Sequence, residues 1–333
     1  MDAAAISFMA YLRAFIPEDY PGVIALKNAL YPDRPVTVEE VREEDGLKTG
    51  EEADFSRWVA YDKGTLVGAC TKEHNLWDFH PSLFEVSIEV LPSHQKSGLG
   101  SCLYRHVLGQ LPSRDPLVVT TWIRSSCERS VRFVLDRGFS EHLREAVSHV
   151  DLAVWDPAPF IEAEGRLAET GITIHSLSEL ASDPHRDEKL YELERETCLD
   201  IPGCSSIPPF EVWKQETLQA SWLMPDGYFV AVHGDVYVGS SYLAQNPVRP
   251  FMEIVFTAVR RHWRNRGIAT VLKARGMAYA QSRGCPALET YNEVRNESIL
   301  RINRALGFSR KADWVLYQKE ISGKCTPFDS VIQ

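Results

Sequence analysis

Gln95-Lys96-Ser97-Gly98-Leu99-Gly100 and Arg264-Asn265-Arg266-Gly267-Ile268-Ala269 are the two stretches whose reading decides the fold of this chain. Each stands between an apolar, β-branched run and a run whose apolar residues recur every three to four positions. Gly267 follows Gly98 by 169 positions, and Gly307 of Leu306-Gly307-Phe308 follows Gly138 of Arg137-Gly138-Phe139 by the same 169. One offset across both landmarks means the segments between them align without insertion, the mark of a duplicated domain. A glycine-rich turn leading from strand to helix also presents free backbone N–H groups and the positive end of the helix dipole to an anion. Glycine lets that anion approach without a Cβ in the way.

Outward from the loops, Phe84–Leu91 and Phe251–Val259 read as the preceding strands. Leu99, Leu103, Val107 and Leu111 recur at helix spacing after the first loop, and Gly267–Ser282 is the helix at the second. Upstream, Trp58–Tyr61 with Thr65–Cys70, and Tyr228–Val232 with Val236–Leu243, read as hairpins over turn residues. Downstream, strands Leu117–Trp122 and Ala287–Tyr291 precede helices Cys127–Arg137 and Asn296–Ala305, each followed by a glycine suited to a positive φ. Trp314–Lys319 reads as a closing strand. The expected organisation is a first domain over 1–156, a linker over 157–170 and a second domain over 171–333. Each is an α/β domain with a mixed, mostly antiparallel twisted sheet flanked by helices.

A length of 333 residues suits two such domains. The 44% hydrophobic and 25% charged residues supply ordinary cores. A net charge of −10 argues against a nucleic-acid partner, which needs a basic face. Seven scattered cysteines without Cys-x-x-Cys point to a reduced, cytoplasmic compartment. No apolar run nears the roughly 18 residues of a membrane span, and the first residues lack the basic stretch of a secretory signal. His74 and His80 have no ligand partners at metal spacing, so no metal is expected.

Among phosphate loops, the dinucleotide fingerprint fails where Leu103 replaces its third glycine. The Walker loop fails for want of Gly-Lys-Ser/Thr. Both copies match Gln/Arg-x-x-Gly-x-Gly/Ala. With that motif repeated in one setting, the chain resembles a tandem member of the GNAT superfamily of N-acetyltransferases over roughly residues 9–155 and 170–320.

The resemblance implies that each loop holds the pyrophosphate of acetyl-CoA and that the preceding strand splays to receive its pantetheine arm. Carried over residue by residue, cofactor binding falls to Val259, Arg264, Asn265, Arg266, Gly267, Ile268, Ala269, Thr270 and Asn296 in the second copy. In the first it falls to Val90, Gln95, Lys96, Ser97, Gly98, Leu99, Gly100 and Ser101. The family's helix before Gly-Phe carries Asn and then a Tyr that can protonate the departing thiolate. This chain keeps Asn296 but has Asn303 at the Tyr position, and the first copy has Cys127 and Val134. An amide cannot serve as the acid, although Asn303 could hydrogen-bond the sulfur or a water.

Acetyl transfer needs a neutral amine, so a carboxylate helper is expected. Glu253, 11 residues ahead of Arg264, resembles the catalytic glutamate of the histone acetyltransferase branch, and the 169 offset sets Phe84 opposite it. Asp200, Tyr291 and Asn292 are the candidates for the acceptor side, with turn chemistry before Pro202 competing for Asp200. The expected function is acetyl-CoA-dependent N-acetylation of a small-molecule or peptide amine by direct attack on the thioester. The second copy is the expected catalytic half of a monomer. The alternatives are a non-catalytic acetyl-CoA-binding regulatory module and a tandem GNAT-like aminoacyl transferase, the latter opposed by two intact loops and the acidic charge.

Overall fold

Residues 11–48, 53–75, 79–112, 117–201, 204 and 207–321 are described by the structure, a computed structural model. The outer ends of the two expected domains, 1–10 and 322–333, lie outside the described residues. The first copy runs β1 (Tyr11–Ala14), α1 (Tyr20–Leu30), α2 (Val38–Leu47), β2 (Ser56–Asp62), β3 (Thr65–Glu73), β4 (Leu83–Val90), α3 (Leu99–Gly109), β5 (Leu117–Arg124), α4 (Glu128–Leu135) and β6 (Ser140–Asp151). After α5 (Ala158–Glu169), the second copy runs β7 (Ile172–Ser176), α6 (Arg186–Cys198), α7 (Phe210–Trp213), β8 (Leu223–His233), β9 (Val236–Gln245), β10 (Met252–Val259), α8 (Ile268–Ser282), β11 (Ala287–Glu293), α9 (Glu297–Ala305), β12 (Ser309–Arg310) and β13 (Trp314–Ile321).

Helices α2, α5 and α7 and strands β6 and β12 were not marked by sequence pattern. Helix α2 has one buried apolar residue, Val41, and so no periodicity to read. It is defined instead by a capping box, in which Glu40 N donates to Thr37 Oγ1 (3.1 Å) and Thr37 N to Glu40 Oε2 (3.3 Å). The stretch read as a linker folds as α5, whose Leu167 is buried beside Ile172 and Val271. Strand β6 follows Gly138, which ends α4 at φ +80°.

The chain forms two compact units that do not divide it at one point. Unit one comprises residues 1–123, 129–142 and 316–333; unit two comprises 124–128 and 143–315. In unit one the strand order is β1-β2-β3-β4-β5-β13. In unit two it is β6-β11-β10-β9-β8-β7, with β12 beside β6. The last strand of each copy is therefore counted with the other copy's sheet: β6 pairs antiparallel with β11 from Glu145↔Glu293 to Asp151↔Ala287. The pairs β4·β5 and β10·β11 are parallel, while the hairpins are antiparallel.

In unit two, α8 covers one sheet face, where Ala274 and Met277 pack with Leu243, Ile254 and Leu288. Strand alternation sends Tyr242 and its cross-strand partner Tyr228 to the opposite face. There the fully buried Glu194 of α6 accepts from Tyr228 Oη–H (3.0 Å) and Trp213 Nε1–H (2.8 Å). Burial pushes its carboxyl up to about 7, and these two bonds oppose the shift. Glu194 thus moors α6, whose C-terminal end reaches the glycine loop.

Strand β10 contains a bulge at Val255, where pairing to β9 slips between Ile254 and Phe256, whereas β3·β4 is regular. The bulge corrects the alignment of this strand. Gly68↔Val90 corresponds to Gly239↔Val259, so five pairs on, Glu73↔Glu85 corresponds to Ala244↔Glu253. The counterpart of Glu253 is Glu85, not Phe84.

Gly239 marks how closely β9 and β10 approach. A Cβ there would lie 2.9 Å from the Ala258 carbonyl and 3.0 Å from Val259 Cγ2, and a backbone carbonyl in a sheet has little room to yield. Gly239→Ala is expected to destabilise the protein by about 1–3 kcal/mol, read as a lower midpoint in thermal denaturation. An unchanged midpoint would show slack at this contact.

Candidate functional site

The site begins where two parallel strands part. β10 and β11 pair only at Met252↔Leu288, Glu253↔Glu289 and Ile254↔Thr290, and the last link is Thr290 Oγ1–H to the Ile254 carbonyl (3.0 Å). Beyond it, β10 runs on to Val259 and the glycine loop. Asn265 (φ +61°) and Gly267 (φ +81°) adopt left-handed backbone, and Arg264 Nε–H donates to the Val259 carbonyl (2.9 Å). Gly267 is the N-cap of α8 and no side chain caps it, so the first N–H groups of the helix point outward unclaimed.

Thr257, Ala258, Val259, Arg264, Asn265, Gly267, Ile268, Ala269, Thr270 and Asn296 line a cavity of about 550 Å³. Thr197, Asp200 and Ile201 at the end of α6 also line it, as do Ser298, Ile299, Arg301 and Ile302 of α9. Eight of the nine second-copy residues expected to bind the cofactor are therefore together. The ninth, Arg266, turns aside to stack over the Trp263 ring (4.9 Å). Asn296 caps α9, its Oδ1 accepting from Ile299 N–H (3.3 Å).

Asp200 lines this cavity beside the glycine loop. Its carboxylate accepts from Arg261 Nε–H (3.0 Å) and from a second Arg261 nitrogen and Arg264 Nη2. The Arg261 hydrogen bond, aided by Arg264 and opposed by burial, holds its carboxyl at about 2. It therefore stays ionised and paired until the pH falls towards that value. A carboxylate seated on two guanidinium groups beside an uncapped helix start marks this corner of the cavity as electropositive.

The other sequence candidates stand apart from this lining. Asn303 is buried, and its Nδ2–H donates to Asn292 Oδ1 (2.8 Å). Tyr291 Oη–H donates to Glu289 Oε2 (3.1 Å), and Glu253 Oε1 accepts from Arg249 Nη1 (2.5 Å). Sequence reading missed Lys273, one turn into α8. It is fully buried, its Nζ has no hydrogen-bond partner among the described residues, and burial lowers its amine to about 7. An isolated lysine inside a helix pattern reads as a solvent-facing residue, so no sequence signal marked it. Cys198 and Cys204 form a disulfide at the end of α6, which departs from the fully reduced set expected from cysteine spacing.

Unit one repeats the loop backbone: Lys96 (φ +64°) and Gly98 (φ +92°) match Asn265 and Gly267, and Gln95 Nε2–H donates to Val90 O (3.1 Å) as Arg264 does to Val259. The loop's surroundings differ. Glu89, at the position of Ala258, is paired with Lys27 (3.0 Å). Arg129, at the position of Ser298, bonds Gln95 Oε1, and Ser101 Oγ accepts from Arg137 Nη2 (2.8 Å). Ser97 Oγ–H donates to the His94 carbonyl (2.6 Å), and Leu99 and Gly100 open α3. Among the described residues, no helix is long and apolar enough to cross a membrane.

The description "Acetyltransferase (GNAT) family" matches residues 23–139 and again 188–308. The mycothiol acetyltransferase of Thermomonospora curvata is 30% identical over 154 residues, 44% of this chain and 48% of that protein. That of Thermobispora bispora is 26% identical over 146 residues, 41% and 48% respectively. The match spans about half the length of these curated relatives. Among solved structures, a tandem GNAT protein from the clavulanic acid biosynthesis pathway superposes with a TM-score of 0.70 at 17% identity, covering 96% of this chain and 100% of that one. A GCN5-related N-acetyltransferase from Sphaerobacter thermophilus gives 0.66 at 22% identity over 93% and 95%. At these identities the two structures speak for the fold.

Asp200→Asn removes the resident anion from Arg261 and Arg264. Inorganic pyrophosphate, titrated calorimetrically, is expected to bind about two- to fivefold tighter to the variant, the scale of one solvent-accessible ion pair. Weaker binding would make Asp200 a support for the arginines instead of a competitor.

Proposed function

We propose that this chain, which belongs to the acetyltransferase (GNAT) family, transfers an acetyl group from acetyl-CoA to an amine of a small molecule or peptide, with unit two as the catalytic half. The observation that carries this reading is the cavity where an uncapped α8, Arg264 and Asn296 meet the open end of β10. In this reading the N–H groups of Gly267, Ile268, Ala269 and Thr270 take the pyrophosphate, together with the Arg264 guanidinium. Val259 and the edge of β10 beyond the bulge offer free backbone groups to the pantetheine amides. Acetyl-CoA supplies an activated thioester. The chain's own task is to orient that carbonyl, keep water away and accept the proton of the attacking amine.

Tyr291 and Asn292 belong to the acceptor side, whereas Glu253, which the sequence nominates as base, is tied to Arg249 (2.5 Å) and is left out of the proton transfer. Asn303 takes the place of a phenolic acid and has one amide oxygen without a partner among the described residues, a seat for a water. The curated relatives supply the first acceptor to test, since mycothiol acetyltransferases are the relatives matched. Unit one keeps the loop but carries the Glu89–Lys27 pair where unit two has Ala258, so its role here is support and not turnover.

Gly267→Glu adds a negative side chain at the helix start and is expected to abolish acetyl-CoA binding in calorimetry and thiol release with an amine panel. Gly98→Glu is expected to leave both in place. Retained binding and turnover in Gly267→Glu would remove the assignment to unit two.

A further inference from the structure

Three adjoining strands of unit two turn four carboxyl groups to one face. Val150 and Leu288 pack with Met277, Leu306 and Phe308, so alternation sends Glu145, Val147 and His149 of β6, and Glu289, Tyr291 and Glu293 of β11, to the other side. Register sets Glu289 opposite His149, Tyr291 opposite Val147 and Glu293 opposite Glu145, with Glu253 beside Glu289. Three of these acids are held by cations. Glu253 has Arg249 (2.5 Å), Glu289 has Lys311 (2.8 Å), and Glu293 has both Nε and backbone N–H of Arg295 (2.6 and 2.8 Å). No hydrogen bond or ion pair among the described residues reaches the Glu145 carboxylate, and neighbouring Arg144 is committed to Asp313 (3.0 Å).

The geometry points to Glu145, brought by the last strand of the first copy, as the general base of acetyl transfer in unit two. The inference rests on the transferase reading above and names the proton acceptor within it. Glu145 sits across from Glu293, at the end of β11 that has parted from β10. The Glu293 carbonyl accepts the N–H of Asn296 (3.0 Å), whose side chain lines the cavity. A carboxylate bound to a guanidinium is a weak proton acceptor, whereas a free one is not. Burial, with the Glu293 charge adding to it, pushes the Glu145 carboxyl up to about 7, matched to an operating pH near neutral. Of the other groups on this face, Arg295 neutralises Glu293 in part, and His149 lies within 3.4 Å of Glu289.

In the step, the amine nitrogen attacks the thioester carbonyl carbon and the carbon–sulfur bond breaks. The nitrogen's proton passes to Glu145, and coenzyme A leaves as a thiolate. Glu145 then returns its proton to solvent, and the thiolate gains one, so amide and free thiol are the net products.

The test begins with the ligand-free protein. A carbon-13 NMR titration of labelled glutamate should show inflections near pH 7 from the buried carboxyls of Glu85, Glu145 and Glu194, of which one disappears in Glu145→Gln and moves to lower pH in Glu293→Gln, where the like charge is gone. Steady-state kinetics should show kcat/KM falling below the same pH. Glu145→Gln should lower kcat about 100-fold with acetyl-CoA binding unchanged, Glu293→Gln should extend activity to lower pH, and Glu253→Gln should keep the acid limb. An active wild type whose rate and acid limb survive Glu145→Gln overturns this inference alone. A wild type that binds acetyl-CoA and releases no thiol with any acceptor overturns the transferase reading and this inference together.

Discussion

Everything at the site depends on a hydrogen-bond ladder that stops. β10 and β11 share three residue pairs and then part, so the backbone of each carries donors and acceptors that the sheet no longer uses. Buried peptide groups without partners are costly, and the fold places this open seam beside a cavity where a polar chain can supply them. The bulge at Val255 bends β10 away. The loop then turns through two left-handed residues into α8, whose first amides face the same space. In the proposed function, strand divergence, loop and helix start are one continuous device for holding an extended anionic molecule.

Much of this was legible in the sequence because the loop depends on local chemistry. Glycine at a left-handed position and the strand-to-helix change of period are both readable from neighbours a few residues apart, and they led to eight cavity-lining residues and the family. What could not be read depends on contacts distant in sequence. The Val255 bulge shifts one strand by a residue, and an alignment with a single offset therefore set Phe84 opposite Glu253 when the pairing sets Glu85 there. Asp200 looked like a turn residue because its partners, Arg261 and Arg264, lie some sixty positions away. Strand β6 follows a helix end with charged residues at Glu141, Arg144 and Glu145, and its pairing with β11 spans well over a hundred residues.

The two copies diverge through the side chains around the loop more than through the loop itself. Both loops hold nearly the same φ angles and the same bond back to the strand end. At the position of Ala258, however, unit one has an acid that draws in Lys27, and at the position of Ser298 it has an arginine that reaches Gln95. Backbone geometry is retained after its surroundings change, because the turn also ends a strand and starts a core helix. Leu99 and Ile268, both buried, anchor those helices irrespective of any ligand.

The distribution of the last strands across the units has a consequence for how the protein is made and how it can evolve. β13 completes a sheet whose other members emerge from the ribosome far earlier, so β5 must wait as an uncovered edge, and unpaired edges recruit wrong partners. β6, made with the first copy, finds its pairing only when β11 has been synthesised. A cut between the copies would leave each half with a strand suited to a neighbour it lacks. The duplication therefore no longer behaves as two exchangeable modules: selection acts on β6 together with β11 and on β13 together with β5, and the halves must change in step.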